Sequence, residues 1–227
     1  MDSLDFSDIL ASSIHDIKNS LSLILTNLED LINNPDNHIA NPRQASLLQH
    51  EARRANNNLI QLLTLYKLGQ RQLAMRVTAN NLADFLEEVV AENLSVCRTL
   101  DLELSCRCDP DLEGYFDLEL VRGVLDSTIG NARRYARSQI EISADQEDDF
   151  LVIRVEDDGV GFPPALLNLL EYGTGRQGDS LNPGRTQLGL YFASRIAQLH
   201  RNGARQGRIQ LRNGHHLPGG CFELWLP

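Results

Sequence analysis

Two groups of residues in this chain can do chemistry. In the stretch SSIHDIKNSL, His15 comes directly before Asp16 and four residues before Asn19. A neutral imidazole is a competent nucleophile near pH 7. A carboxylate bonded to one ring nitrogen orients the other and stabilises the cation formed on attack. In a helix, residues three or four apart share a face, so His15 and Asn19 stand together with Asp16 beside them. Taken alone, the trio reads as a solvated polar face and cannot carry a function, so the remaining motifs have to decide.

The second group lies in the C-terminal part. GNARRYA puts Asn131, Arg134 and Tyr135 in one helical stretch. There an amide oxygen can serve Mg²⁺, a guanidinium can serve phosphates and an aromatic face can cover a base. VEDDGVGF sets Asp157 at a strand end, with Gly159 and Gly161 at alternate positions behind it. A fixed carboxylate accepts a hydrogen bond from a base's exocyclic amine, and the glycines let backbone approach a ligand closely. GRTQLGLYFASRIAQLH gives a glycine-bearing entry into a helix, whose N-terminus favours anions. Each signal has a plain alternative, an Asp-Gly turn or a polar helix surface. In this order, behind an off-seam histidine, they reinforce one another.

The elements that must hold these residues are legible from periodicity. Apolar residues recur at Leu10, Ile14, Ile17, Leu21, Ile24, Leu28 and Leu31, in steps of four and three, which is a heptad seam. His15, Asp16 and Asn19 fall at positions pointing away from it. NNPDN breaks the helix, and a second begins with Asn41 as N-cap, Pro42 at the first helical position and Gln44 as capping-box partner. Its seam is Ala45, Leu48, Ala52, Ala55, Leu59, Leu62 and Tyr66. Flanking residues such as Leu25, Ile32, Leu47 and Ile60 give more apolar surface than one hairpin covers. The expectation is an N-terminal antiparallel helical hairpin that doubles into a homodimeric four-helix bundle.

After KLGQRQ the pattern changes. LADFLEEVVAENL, DLELVRGVLDSTIGNARRYA, PALLNLLEYG and GLYFASRIAQLH read as helices, and LDLELSCRC, QIEISAD, FLVIRVEDDG, GRIQLRN and CFELWLP as strands. The expected class is α+β, with helices on one face of a mixed sheet, in two domains spanning residues 1–69 and 70–227. A formal charge of -10 with a pI near 5.0 argues against nucleic-acid binding, since phosphate contacts need clustered cations. No apolar run approaches a membrane span, and DSLDFSD after Met1 lacks a signal peptide's basic start and apolar core, so a cytoplasmic location is expected. Cys97, Cys106, Cys108 and Cys221 show no zinc-type spacing and read as small apolar residues.

On these motifs the whole chain, from about Asp5 to Pro227, resembles the transmitter portion of a bacterial sensor histidine kinase. HDIKNSL is similar to the H-box, DSTIGNARRYA to the N-box, EDDGVGF to the G1 box and RTQLGLYF to the G2 box. The resemblance implies a dimerisation and histidine-phosphotransfer hairpin followed by an α/β-sandwich ATPase domain of the GHKL (Bergerat) type. It implies ATP and Mg²⁺ as cofactors and a response-regulator receiver domain as partner. By the same resemblance His15 is the phosphoacceptor, Asp16 the acid/base that activates it, and Asn19 the residue that positions water when a regulator loses its phosphate. Asn131 ligates Mg²⁺, Arg134 contacts phosphate, Tyr135 neighbours adenine and Asp157 binds its amine, while Gly159, Gly161 and Gly189 supply close backbone approaches.

The chain departs from that pattern at named positions. Ser127 stands where the N-box commonly has a first Asn, and Ser20 where the H-box usually has Pro. Arg185-Thr186-Gln187 replaces the G-x-G before LGL, so Arg185 offers charge in place of a glycine. No sensor segment precedes the hairpin, which fits either a piece of a longer kinase or a protein that receives its signal by association. Two functions stay open. One is an ATP-dependent kinase that phosphorylates His15 and passes the phosphate to a regulator aspartate. The other is a histidine phosphotransfer protein whose ATPase-like domain does not turn over ATP.

Overall fold

The computed structural model describes residues 6–34, 36–171 and 186–227. The chain divides into two compact units, Met1–Ala74 and Met75–Pro227. The first is a hairpin of α1 (Phe6–Asn33) and α2 (Pro42–Gly69). Asn41 caps α2 by accepting from the Gln44 N–H at 3.1 Å, and Pro42 occupies the first turn, where its missing donor costs nothing. Across the hairpin, Arg53 pairs with Glu29 at 2.6 Å, and Gln49 donates to the same carboxylate at 3.3 Å.

Each heptad seam splits in two. On α1, Ile14, Leu21 and Leu28 are half-buried and the flanking Leu25 is buried, whereas Ile17, Ile24 and Leu31 are each more than half exposed. On α2, Ala45, Ala52, Leu59 and Tyr66 are half-buried while Leu48, Ala55 and Leu62 are exposed. One position of each heptad therefore meets the other helix, and the second position is left open.

The second unit is built on a five-stranded sheet in the order β2-β4-β5-β9-β8, comprising Glu103–Cys108, Gln139–Glu147, Phe150–Asp157, Gly220–Leu226 and Arg208–Asn213. β2 and β4 run parallel and the other pairs antiparallel. The register puts Leu104, Ile140, Ile142, Ile153, Val155, Phe222, Leu224 and Leu211 on one face, all buried. Three helices, α3 (Leu82–Thr99), α4 (Leu118–Tyr135) and α6 (Thr186–Leu199), pack over that face through Phe85, Val89, Val121, Leu125, Ile129, Phe192 and Ile196. A short helix, α5 (Pro164–Glu171), and two small ribbons, β1 (Val77–Asn81) with β3 (Glu113–Asp117) and β6 (Arg201–Asn202) with β7 (Arg205–Gln206), complete the unit. Among the described residues no helix is long and apolar enough to cross a membrane.

The opposite face of the sheet is polar at its centre, where Ser143, Arg154, Glu156 and Glu223 are nevertheless buried. Arg154 is 2% exposed and spends its guanidinium on Glu223 at 3.0 Å, Asp145 at 3.1 Å and Glu147. Arg212 reaches the same Glu223 at 2.6 Å. A buried cation is tolerable only because each of its donors finds a carboxylate.

One buried node joins the helices to β3. Asp117 caps α4 by accepting from the Leu120 N–H at 3.1 Å, and its other oxygen accepts from the Arg76 N–H at 2.7 Å. The Asp117 N–H donates to His200 Nε2 at 3.0 Å, so Nδ1 must carry the proton that reaches Ile196 O at 2.9 Å. Burial holds the His200 pKa below its ordinary 6.5. The unfolded chain therefore takes up this proton first, and the stability that neutral His200 gives is lost as pH falls through about 6.5. Thermal melts between pH 7.5 and 5.5 should show the second unit losing stability on acidification. His200→Gln should start lower and remove that part of the slope.

Candidate functional site

His15 and Asn19 lie on the exposed side of α1, one turn apart. The Asn19 Nδ2 donates to His15 Nδ1 at 3.2 Å, and the Asp16 carboxylate stands 3.8 Å from the same nitrogen. Nε2 is left clear of both. The two neighbours compete for one atom with opposite effects. A proton on Nδ1 held by Asp16 makes Nε2 the lone-pair nitrogen, whereas an amide donated to Nδ1 moves the ring proton to Nε2.

The second group converges where β5 ends. Asp157 is the last β5 residue on the helix-covered face, 7% exposed. Its Oδ1 accepts from the Gly159 N–H at 2.7 Å, and the Gly220 N–H also donates to the carboxylate. Burial raises its pKa from the ordinary 3.8, with the two backbone donors opposing. Two donors do not exhaust a carboxylate's lone pairs, so it keeps capacity for an exocyclic amine. Asp158 faces elsewhere. Its oxygens take the Arg137 N–H at 2.7 Å, the Ser138 N–H at 3.0 Å and the Ser138 hydroxyl at 2.6 Å. Burial works against its ionisation, but these donors outweigh it and hold the carboxyl well below the usual range. Asp158 thus ties the chain after α4 to the end of β5.

The close approaches that the glycines allow are made within the protein itself. A Cβ at Gly159 would lie 2.1 Å from Tyr135 O and 2.7 Å from Asp157 Oδ1. Gly161 has φ +78°, and a Cβ there would meet the Asn213 side chain at 2.7 Å. Asn213 in turn brackets the Phe162 backbone, accepting from its N–H at 2.7 Å and donating to its carbonyl at 2.8 Å. Gly189 sits inside α6, after the helix entry, and a Cβ there would lie 2.6 Å from Ser127 Oγ and 3.9 Å from Asn131 Nδ2. Gly189 thus lets α6 press against α4 at Ser127 and Asn131.

Asn131 is half-buried beside Gly189, and its amide makes no hydrogen bond among the described residues, which suits an oxygen ligand for Mg²⁺. Arg134 and Tyr135 are exposed on the last turn of α4, and only the Tyr135 carbonyl reaches the Asp157–Gly159 turn. Arg185 lies outside the described residues. Sequence reading passed over Asn213 and Ser138. An Asn before a Gly reads only as a turn, and neither contact is local.

The family model for the histidine kinase-, DNA gyrase B- and HSP90-like ATPases matches residues 116–227. Over 116 residues the chain is 30% identical to the virulence sensor histidine kinase PhoQ of Salmonella typhimurium, a match covering 51% of this chain and 23% of PhoQ. Over 221 residues it is 25% identical to the sensor protein kinase PmrB of Pseudomonas aeruginosa, covering 96% of this chain and 45% of PmrB. The chain thus spans less than half the length of these curated relatives. The histidine kinase AdeS of Acinetobacter baumannii shares the fold, with TM-score 0.60 and 18% identity over 93% of this chain and 96% of AdeS.

Gly159→Ala should cost about 3 kcal/mol or more, because the obstructing atoms are backbone and the Asp157 carboxylate. Urea unfolding of the two proteins, followed by far-ultraviolet circular dichroism, measures it.

Proposed function

Because this chain belongs to the histidine kinase-, DNA gyrase B- and HSP90-like ATPase family, with the hairpin and ATPase domain of a histidine kinase transmitter region, we propose that it is an ATP-dependent protein-histidine kinase of two-component signalling. It phosphorylates itself on His15 and passes the phosphate to an aspartate on the receiver domain of a response regulator. The observation that carries the reading is the Asp157 carboxylate, buried, fixed by two backbone donors and still able to accept a third hydrogen bond.

In this reading Asp157 takes the adenine amine, with Tyr135 and Arg134 at the rim for base and phosphate and Asn131 holding Mg²⁺. The metal, when bound, screens the triphosphate's charge and draws electrons from the transferring phosphorus. Gly159, Gly161 and Gly189 keep the walls in place, and Arg185 adds charge at the triphosphate end. At the other site His15 attacks through Nε2. The new N–P bond forms as the bond from the γ-phosphorus to the bridging oxygen breaks, and ADP leaves with that electron pair. Asp16 accepts the Nδ1 proton's hydrogen bond and stabilises the imidazolium. Asn19, able to turn the ring proton onto Nε2 or to hold water, suits the reverse task of removing phosphate from the regulator.

Incubation with γ-labelled ATP and Mg²⁺ should give an acid-labile, base-stable phosphoprotein, lost in His15→Gln although that variant still binds nucleotide. Asp157→Asn should bind neither ATP nor ADP in titration calorimetry, since the amide can turn a donor toward the adenine amine. Undetectable nucleotide binding by the native chain at millimolar ATP would reject the kinase. It would leave the phosphotransfer protein with an inactive ATPase-like domain.

Assembly follows from the open half of each seam. Ile17, Ile24, Leu31, Leu48 and Leu62 are exposed on the hairpin, and a second copy covers them as a homodimeric four-helix bundle. Ile17→Asp should leave the hairpin folded and shift light scattering from dimer to monomer. A native monomer at micromolar concentration would defeat the dimer.

A further inference from the structure

The strand alternation that aims Asp157 at the helices turns Glu156 to the opposite face of the sheet. There it lies directly across from Cys221 on β9, and both are wholly buried. The loop between β8 and β9 folds over this pair. It is closed by the Gly214 N–H to Gly219 O at 2.9 Å and the His215 N–H to Leu217 O at 3.1 Å, with Gly214 at φ +71°. It brings His215 Nδ1 to 2.7 Å from Glu156 Oε1, and one donor atom each of Glu156, His215 and Cys221 lies within 4.8 Å of the other two. None of the three has a part in the reaction described above.

We propose that Glu156, His215 and Cys221 form a binding site for a divalent transition metal, Zn²⁺ by donor chemistry, on the face of the sheet opposite Asp157. A carboxylate oxygen, an imidazole nitrogen and a thiolate sulfur make a donor set suited to zinc and leave the fourth tetrahedral position to water. The carboxylate is already oriented from behind. Its Oε2 accepts from the His216 N–H at 2.9 Å and the Leu217 N–H at 3.2 Å, so Oε1 is the oxygen turned toward the other donors. Burial pushes the Cys221 thiol up to about 12, with neighbouring Glu156 raising it further and Arg212 opposing, so the thiol stays protonated until a metal displaces its proton. Glu141 lies directly across from Glu156 on β4 and adds a second carboxylate beside the site, with Arg107 3.6 Å from it. His215 comes from an exposed loop, which gives the ion its way in. A bound ion would clamp that loop to β5 and β9, and the same loop donates the Gly219 N–H to Asp157 O at 3.0 Å.

The test is Zn²⁺ titration of the chelator-stripped full chain against a chromogenic competitor, with Co²⁺ as spectroscopic stand-in. One ion per chain is expected, and Co²⁺ should give a thiolate charge-transfer band. His215→Ala and Cys221→Ala should each weaken Zn²⁺ by about a hundredfold or more, beyond the effect of losing an outer-shell partner. The Cys106→Ala/Cys108→Ala double variant, on the apolar face, and His15→Gln should bind as the native chain does. If Cys221→Ala fails to fold by circular dichroism, His215→Ala and the cobalt band decide. Absence of stoichiometric Zn²⁺ at tens of micromolar, full affinity in His215→Ala, or loss in the Cys106/Cys108 variant instead would each overturn the proposal.

Discussion

Three consecutive carboxylates, the last two residues of β5 and the one after it, have to be kept apart. Glu156, Asp157 and Asp158 would repel one another if they shared an environment, and each has been given its own. Glu156 turns outward to His215 and two loop N–H groups, Asp157 inward to Gly159 and Gly220, and Asp158 sideways to the Arg137–Ser138 backbone and the Ser138 hydroxyl. The consequences for ionisation differ in sign. Glu156 and Asp158 have enough donors to overcome burial and sit below the ordinary range, while Asp157, with fewer, sits above it. The carboxylate left under-satisfied is the one facing the helices, where a ligand's donor can complete it.

Much of this was legible in the sequence because it is local. Heptads, the Asn41-Pro42 cap and the alternating strands rest on spacing within a few residues, and the structure has helices and strands where those patterns stand. The glycines were legible as positions, but the protein atoms they also make room for were not: Tyr135 O, the Asn213 side chain and Ser127 on α4. A partner some 50 residues away, such as Asn213 for Phe162, leaves no periodic trace. β1 and β3 escaped for a related reason. They are five residues long, Tyr115 and Val77 are exposed, and Gly114 interrupts the pattern.

The hairpin shows a different limit. A heptad reads as one seam, yet the folded hairpin uses its two positions unequally. Residues spaced by seven, such as Ile14, Leu21 and Leu28, meet the sister helix, and those between, such as Ile17, Ile24 and Leu31, do not. Sequence gives the period, and only the folded hairpin tells which half is already spent. His15 and Asn19 stand apart from both halves and are exposed.

The Asp117 node carries a mechanical meaning. The second unit begins at Met75, and the first backbone donor after it, the Arg76 N–H, is held by Asp117, whose side chain also caps α4 and whose own N–H is accepted by His200, the first residue after α6. A pull or twist on the incoming chain is therefore loaded first onto that carboxylate. From there it reaches the two helices that carry Asn131 and Gly189 through one residue, alongside the β1–β3 ribbon that the same Asp117 ends.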